Sequence, residues 1–236
     1  MFADQLRGTQ VLPIALGAAA LTGILTAAPA SATLTLELES GGTIITIEDD
    51  LAGDTLLGDG QISFSGTVGD LDTTITVGVS NSPGDSVNDA FLSLTSVAVE
   101  SLGPAATSLI IRLTDSDFVL PDVGSAGALI SDISLSQIGD AVDSANFTSF
   151  ADPGNGLFAE TVAAPILVLG DNGGTTSSTA FTSPGAFSLT SELEILLAGP
   201  GVVTLTGNTT VVPEPASIGL LALGGMFLAA GRRRRS

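Results

Sequence analysis

The body of this sequence predicts an all-β fold, an antiparallel β-sandwich of the Ig-like or jelly-roll kind, and three observations predict it. Apolar and polar residues alternate with a period of two in many short segments. Turn signals punctuate them: Ser82-Pro-Gly-Asp85, Asp152-Pro-Gly-Asn155, Asp171-Asn-Gly-Gly174 and Ser183-Pro-Gly185. No stretch between Thr33 and Val211 keeps helical periodicity for three turns. Many short strands in a single-domain length fit two packed sheets.

Residues 1–32 read as a secretory signal peptide flanking that body. Arg7 supplies a positive start, although Asp4 is unusual there. Residues 11–28 are apolar and small, and Ala30-Ser31-Ala32 is an A-x-A cleavage pattern, so the mature chain starts at Thr33.

The body, residues 33–207, opens with a strand over 33–39 that aligns Leu34, Leu36 and Leu38. Ser40-Gly41-Gly42 turns it into a second strand over 43–48. Residues 61–68 put Ile62, Phe64, Gly66 and Val68 on one side, and 74–80 do the same with Ile75, Val77 and Val79. Further strands are expected over 91–100, 108–114, 128–135, 145–150, 157–162 and 202–206. The clearest is 187–197. There Phe187, Leu189, Ser191, Leu193, Ile195 and Leu197 share one face, while Ser188, Thr190, Glu192 and Glu194 share the other. The inner faces are expected to include Leu36, Phe64, Val77, Leu94, Leu109, Ile111, Leu193 and Ile195. Residues 170–178 read as a solvated loop, and 208–212 as a linker.

Charge narrows the function. The chain has 25 Asp+Glu and 6 Lys+Arg. Setting aside Asp4 and Glu214 leaves 23 acidic residues, and setting aside Arg7 and four terminal Arg leaves only Arg112, a body of about −22. Such a surface repels nucleic acid and favours cations and cationic partners. The chain has no Cys, His, Tyr or Trp, and no Lys. Disulfides, thiolate and imidazole metal sites, Ser-His triads and Schiff-base lysines are excluded.

Carboxylates remain. Glu37 with Glu39, and Glu192 with Glu194, project from one strand face, whereas a glycosidase needs two carboxylates opposed across a cleft. No nucleophile elbow, phosphate loop or zinc motif appears, so no enzyme is expected. Sugar sites in sandwich modules favour Trp and Tyr platforms. Phe147, Phe150 and Phe158 read instead as core or strand-edge packing. No cofactor is implied by a motif, and calcium is the one ligand with a case. Glu48-Asp49-Asp50, Asp54 and Asp59 crowd one turn-rich segment, and Asp115-Ser-Asp117 sits at a strand end. Hard oxygen donors on loops suit Ca2+, so Asp49, Asp50, Asp54 and Asp59 are the candidate ligands, against the plainer reading of a solvated acidic loop.

The tail, 212–235, has three parts. Val212-Pro213-Glu214-Pro215 comes first. Residues 216–231 then carry no charge and contain Gly and small residues, as membrane helices tolerate. As a helix that run reaches roughly 24 Å, just short of a ~30 Å hydrocarbon core. Arg232, Arg233, Arg234 and Arg235 close it and should stay cytoplasmic by the positive-inside rule. This order of box, single membrane helix and Arg cluster resembles the PEP-CTERM sorting signal. The resemblance implies a substrate of exosortase, a membrane-embedded protease of many Gram-negative bacteria. It implies passage through the export machinery, transient anchoring in the inner membrane, removal of the tail, and a final place at the cell surface or outside. It also ties such proteins to exopolysaccharide and biofilm. Two functions stay open: a non-enzymatic surface or matrix protein, and a secreted module that binds a glycan or calcium.

Overall fold

The computed structural model describes residues 34–84, 89–101, 106–124, 126–138 and 142–214. The signal peptide with Ala30 and Ala32, Pro215, the run 216–231 and Arg232 to Arg235 lie outside the described residues. Among the described residues no helix is long and apolar enough to cross a membrane.

The strands are β1 (Thr35–Ser40), β2 (Thr43–Glu48), β3 (Gln61–Val68), β4 (Leu71–Ser80), β5 (Ala90–Ser101) and β6 (Thr107–Phe118). They continue as β7 (Gly127–Ile138), β8 (Val142–Asp152), β9 (Val162–Ala163), β10 (Leu167–Leu169), β11 (Gly173–Phe181), β12 (Phe187–Leu197) and β13 (Gly201–Pro213). They form two antiparallel sheets. One runs β10-β8-β12-β6-β1-β2, with β9 on β8; the other runs β11-β7-β13-β5-β4-β3. The chain changes sheet after β2, β5, β6, β7, β10, β11 and β12. Each change places sequential strands on opposite layers, so neither sheet is a simple meander.

One core fills the space between the sheets. Leu36, Leu38, Leu109, Ile111, Leu113, Leu193 and Ile195 supply it from one side. Ile75, Leu92, Leu94, Val97, Val99, Ile133 and Val203 supply it from the other. All of these are fully buried, as the period-two pattern requires for residues that face a second sheet. The β1–β2 turn is made by Gly41 and Gly42 at φ 58° and 78°, a left-handed pair that suits a two-residue hairpin. Phe64 is half-buried against the core, its ring beside Gly66, because a register shift between Ile62 and Phe64 turns the strand.

Three readings of the sequence need correction. Residues 208–212 are not a linker: β13 carries on through them, between β7 and β5. Thr209 on this stretch is buried, and its hydroxyl lies 2.6 Å from Ser149 Oγ and 2.7 Å from Ser191 Oγ across the core. Those three hydroxyls satisfy one another, which lets polar residues occupy a core face. Residues 170–178 are not wholly loop, because β11 starts at Gly173 as an exposed edge strand on β7. Residues 157–162 are not a strand, and only Val162–Ala163 pairs, with β8. The chain there lies over the outer face of the sheet instead. Phe158 N donates to Thr114 Oγ1 at 3.1 Å, and Ser188 Oγ donates to the Gly156 carbonyl at 2.6 Å. This cover explains why Ser188 and Thr190, expected on the wet face, are buried.

Candidate functional site

The acidic segment after β2 forms a compact loop, built by its own carboxylates. Asp49 Oδ2 accepts from Gly60 N at 2.6 Å, and Asp50 Oδ1 from Gly58 N at 3.0 Å. Asp54 Oδ1 accepts from Leu56 N at 2.9 Å and Ser63 N at 3.0 Å, while Oδ2 takes a long contact of 3.3 Å from Asp50 N. Asp50 sits at φ 58°, a left-handed turn that Asp tolerates better than most residues. The loop thus brings one carboxylate oxygen from each of Asp49, Asp50 and Asp54 within 4.8 Å of one another. Oxygens on a single Ca2+ lie at ~2.3–2.6 Å from it, so this spacing fits one ion. Asp59 is exposed and stands outside the group.

Asp49 differs from its two neighbours. Its Oδ1 is buried and has no hydrogen-bond partner. Burial raises its pKa above the usual carboxylate range, the Gly60 amide opposes that, and the charges of Asp50 and Asp54 add to the rise.

The Asp115-Ser-Asp117 pair lies at the end of β6. Alternation from Leu109, Ile111 and Leu113 continues to Asp115, which therefore faces the core side and is 1% exposed. Its Oδ1 accepts from Ser116 N at 2.8 Å, while Oδ2 is buried without a partner. Burial pushes its pKa up to about 6; the Ser80 hydroxyl and Ser116 amide pull it down, and the charges of Asp49 and Asp117 push it further up. Asp117, at φ 62°, is held by Asn155 in both directions: its N donates to Asn155 Oδ1 and its Oδ1 accepts from Asn155 Nδ2, each at 2.8 Å. The sequence names both acidic groups but not that the charge of Asp49 is felt at Asp115. The signal that could have joined them is the position of Asp115 on the apolar face of its strand.

Arg112 occupies the opposite face of the same sheet. It donates from Nε to Glu192 Oε2 at 2.7 Å and from Nη1 to Glu37 Oε1 at 2.9 Å, with Glu39 at 3.8 Å. Burial works against its charge, but the hydrogen bonds and charges of Glu192 and Glu37 outweigh that and raise its pKa. Glu37 and Glu39 of one pair and Glu192 of the other thus meet across β1, β6 and β12 around one guanidinium. Glu194 instead accepts from Asn146 Nδ2 at 3.2 Å. Glu37 and Glu192 are tied to a cation on one open face, whereas glycoside hydrolysis uses two carboxylates opposed across a cleft.

At the C-terminal end, Val212 pairs with Ala128 and Pro213 with Gly127 on β7, and Glu214 N donates to the Ala126 carbonyl at 3.2 Å. Pro213 as the last residue of a strand leaves no ladder donor missing inside it. The box therefore begins inside the sheet.

An exported sandwich with a sorting signal on its last strand is the class that fold and tail define. Residues 211–235 match the PEP-CTERM protein-sorting motif. The chain is a PEP-CTERM domain-containing protein, and that motif marks an exported protein with a membrane-anchored signal sorted by an exosortase. No curated protein matches the chain. Among solved structures it is similar to the enzymatically active domain of tailspike protein 4 of bacteriophage CBA120, at 11% identity and TM-score 0.29. That match covers 52% of this chain and 18% of that one. It is also similar to a cleaved adhesin domain of the Lys-gingipain of Porphyromonas gingivalis, at 10% identity and TM-score 0.30, covering 64% and 96%. A carbohydrate-binding module that recognises mannan matches at 15% identity and TM-score 0.28, covering 64% and 95%. At these scores the likenesses carry no argument about function.

Proposed function

We propose that this chain is a non-enzymatic surface or extracellular-matrix protein that acts through its acidic sandwich after exosortase has removed the tail. In this reading a signal peptide ending at Ala32 directs export, and 216–231 anchors the chain in the inner membrane with the Arg cluster cytoplasmic. The domain then passes to the surface or medium of a Gram-negative cell, in association with exopolysaccharide. The observation that carries the reading is the sorting motif joined directly to β13, so that release at the box yields a whole folded domain. The absence of His, Cys, Lys, Tyr and Trp supports a non-catalytic role, since hydroxyls, carboxylates and one engaged Arg are what remains for chemistry.

Mass spectrometry of protein from membrane, surface and culture fractions tests it. The mature chain should start at Thr33 and end near Pro213 to Pro215. Intact protein ending in Ser236 on the outer surface of an exosortase-bearing host would overturn it.

A second reading, a calcium-binding module, is favoured by the three loop carboxylates within 4.8 Å. The two readings are compatible, because a matrix protein can hold a structural ion.

A further inference from the structure

The two sheets end in β10 and β2, and in β11 and β3, and natural sheets blunt such edges by shortness, charge, bulges or a covering loop. β2 is six residues long, ends in Glu48, and is followed at once by Asp49 and Asp50. β10 is three residues long. β3 has a register shift between Ile62 and Phe64, and the acidic loop takes its outer side: Thr55 N donates to the Ser63 carbonyl at 3.0 Å, and Ser63 N to Asp54 Oδ1 at 3.0 Å. β11 has none of these devices. It pairs with β7 from Gly173 to Phe181 without a register shift and contains no Pro. Residues 172–191 carry no charge, in a chain of formal net charge −19. Among the described residues, β11 makes backbone ladder bonds to β7 alone.

The faces of β11 are set by alternation. Thr175, Ser177, Thr179 and Phe181 are the more buried set, and Gly174, Thr176, Ser178 and Ala180 are exposed. Ser177 Oγ donates to the Pro165 carbonyl at 2.6 Å, so the segment before β10 covers the inner face of β11. Side chains stand off a sheet while ladder groups lie in its plane, so that cover leaves the edge open. The strand is also complementary to itself. Laid antiparallel about its midpoint, Ser177, it sets Thr175 against Thr179, Thr176 against Ser178, and Gly174 against Ala180. Thr–Thr and Thr–Ser pairs hydrogen-bond across a ladder and favour pairing. Asp171 of one copy then faces Ser183 of the other, which puts the two Asp171 at opposite ends of the joint, roughly 40 Å apart at ~3.4 Å per residue. Asp132, behind Thr176 on β7, is kept from its counterpart by three strand spacings, ~14 Å. Both separations exceed the Debye length of ~8 Å at physiological salt. A charged peptide gains nothing from this uncharged edge. A second copy meets matching residues there, along the edge where its own like charge is missing.

We propose that β11 is a self-association edge: two copies of this chain pair their β11 strands antiparallel about Ser177 and join their six-stranded sheets into one continuous sheet. The contact is isologous, the same strand on both sides of a two-fold axis. Added salt strengthens it, because screening relieves the repulsion between two acidic bodies. The pairing goes beyond the matrix-protein reading and does not depend on it, since a chain that stays monomeric is exported and released at the box all the same.

The chain has no Cys, so introduced cysteines report the register. Full-length Thr176→Cys and Ser178→Cys chains, with tags of different length, are mixed in detergent and oxidised with copper–phenanthroline. Directly opposed residues lie ~4.5–5.5 Å apart between Cα atoms, inside the ~4.4–6.8 Å that a disulfide spans. Positions 176 and 176, or 178 and 178, are diagonal neighbours at ~7–8 Å. The mixture should therefore cross-link on the order of 10-fold faster than either chain alone, and faster still in high NaCl. Sedimentation of the full-length chain gives the second readout. Thr176→Glu/Ser178→Glu opposes like charges and should abolish pairing, whereas Thr176→Lys/Ser178→Glu opposes unlike charges and should restore it. Both positions are exposed, so every variant should melt as the parent does, which separates lost pairing from lost folding. A parent that stays monomeric in high salt overturns the proposal. So does cross-linking of the single chains as fast as the mixture, or equal association of the two charge variants. Faster cross-linking of Ile44→Cys, exposed on the β2 edge, would move the joint to β2 and overturn it as well.

Discussion

Asp115→Asn should stabilise the metal-free protein at neutral pH and lose that advantage in acid. The folded-state pKa of Asp115 is about 6, against 3.8 for the unreacted side chain. Below about pH 4 the group is protonated in both states and makes no difference. As pH rises toward 6, the unfolded chain gives up this proton while the folded one keeps it, so stability falls. The stabilising contribution of the raised pKa is present below 3.8 and gone above about 6. At about 1.4 kcal/mol per pH unit this amounts to roughly 3 kcal/mol at pH 7. Asn retains the oxygen that accepts from Ser116 N, and its amide can donate to the Ser80 hydroxyl. A realistic gain is therefore about 2–3 kcal/mol, or about 4–12 °C in melting for a domain this size. The assay is thermal melting of the full-length parent and variant in chelator at pH 4, 5.5 and 7. A parent and variant that melt together at pH 7, or a difference that does not shrink toward pH 4, would refute the reasoning.

Other perturbations test the fold and the loop. Ile195→Asp should unfold the domain, because Ile195 is fully buried and an unpaired buried charge costs several kcal/mol of a total of ~5–15; circular dichroism that shows a native-like melt would mean the register is wrong. Gly207→Ala should cost about 1–3 kcal/mol, read as a lower denaturant midpoint, because a Cβ there meets the buried Phe147 ring at 2.6 Å. Thr209→Val should cost about 1–3 kcal/mol in the same measurement, since it strands the hydroxyls of Ser149 and Ser191 in the core. An unchanged midpoint would show that water or a rotamer change satisfies them.

Much of the sandwich was legible because its strands obey one rule. Where a strand has a dry face and a wet face, as over Leu193 to Leu197, alternation alone identifies it and the residues that face the core. The failures have physical causes. Thr209 reads as polar linker because a hydroxyl that finds two hydroxyl partners across a core is indistinguishable, in one dimension, from a solvated one. Thr175 to Ser178 read as loop because an exposed edge strand needs no apolar face. The segment around Phe158 reads as strand because its apolar residues cover a polar patch of the sheet, at Thr114 and Ser188, instead of joining a ladder. The acidic loop was legible as a cluster, since Asp49, Asp50 and Asp54 are close in sequence. Asp115 could be placed on the inward face by the same alternation, but its neighbour across β1 depends on strand pairing, which periodicity does not specify.

The junction between sandwich and signal follows from where β13 lies. It is an interior strand of its sheet, hydrogen-bonded to β7 on one side and β5 on the other. A cut before Val212 removes the Val212 and Pro213 pairs with β7, and a cut at Thr206 would also delete pairs with both neighbours together with buried Thr209 and Val211. A cut at the Pro-Glu-Pro box removes nothing the core uses, since Pro213 is the last paired residue and Glu214 adds one terminal hydrogen bond. The box is thus the earliest point in the chain at which the tail can leave without cost to the fold. Expression of the chain truncated after Thr206 and after Glu214 separates the two cases. The longer form should melt as the parent domain does, within about 1 kcal/mol, and the shorter should fail to fold, as expected when an interior strand is lost. Two truncations of equal stability would mean that the last turn of β13 contributes nothing, and the close joining of signal to strand would then have no structural consequence.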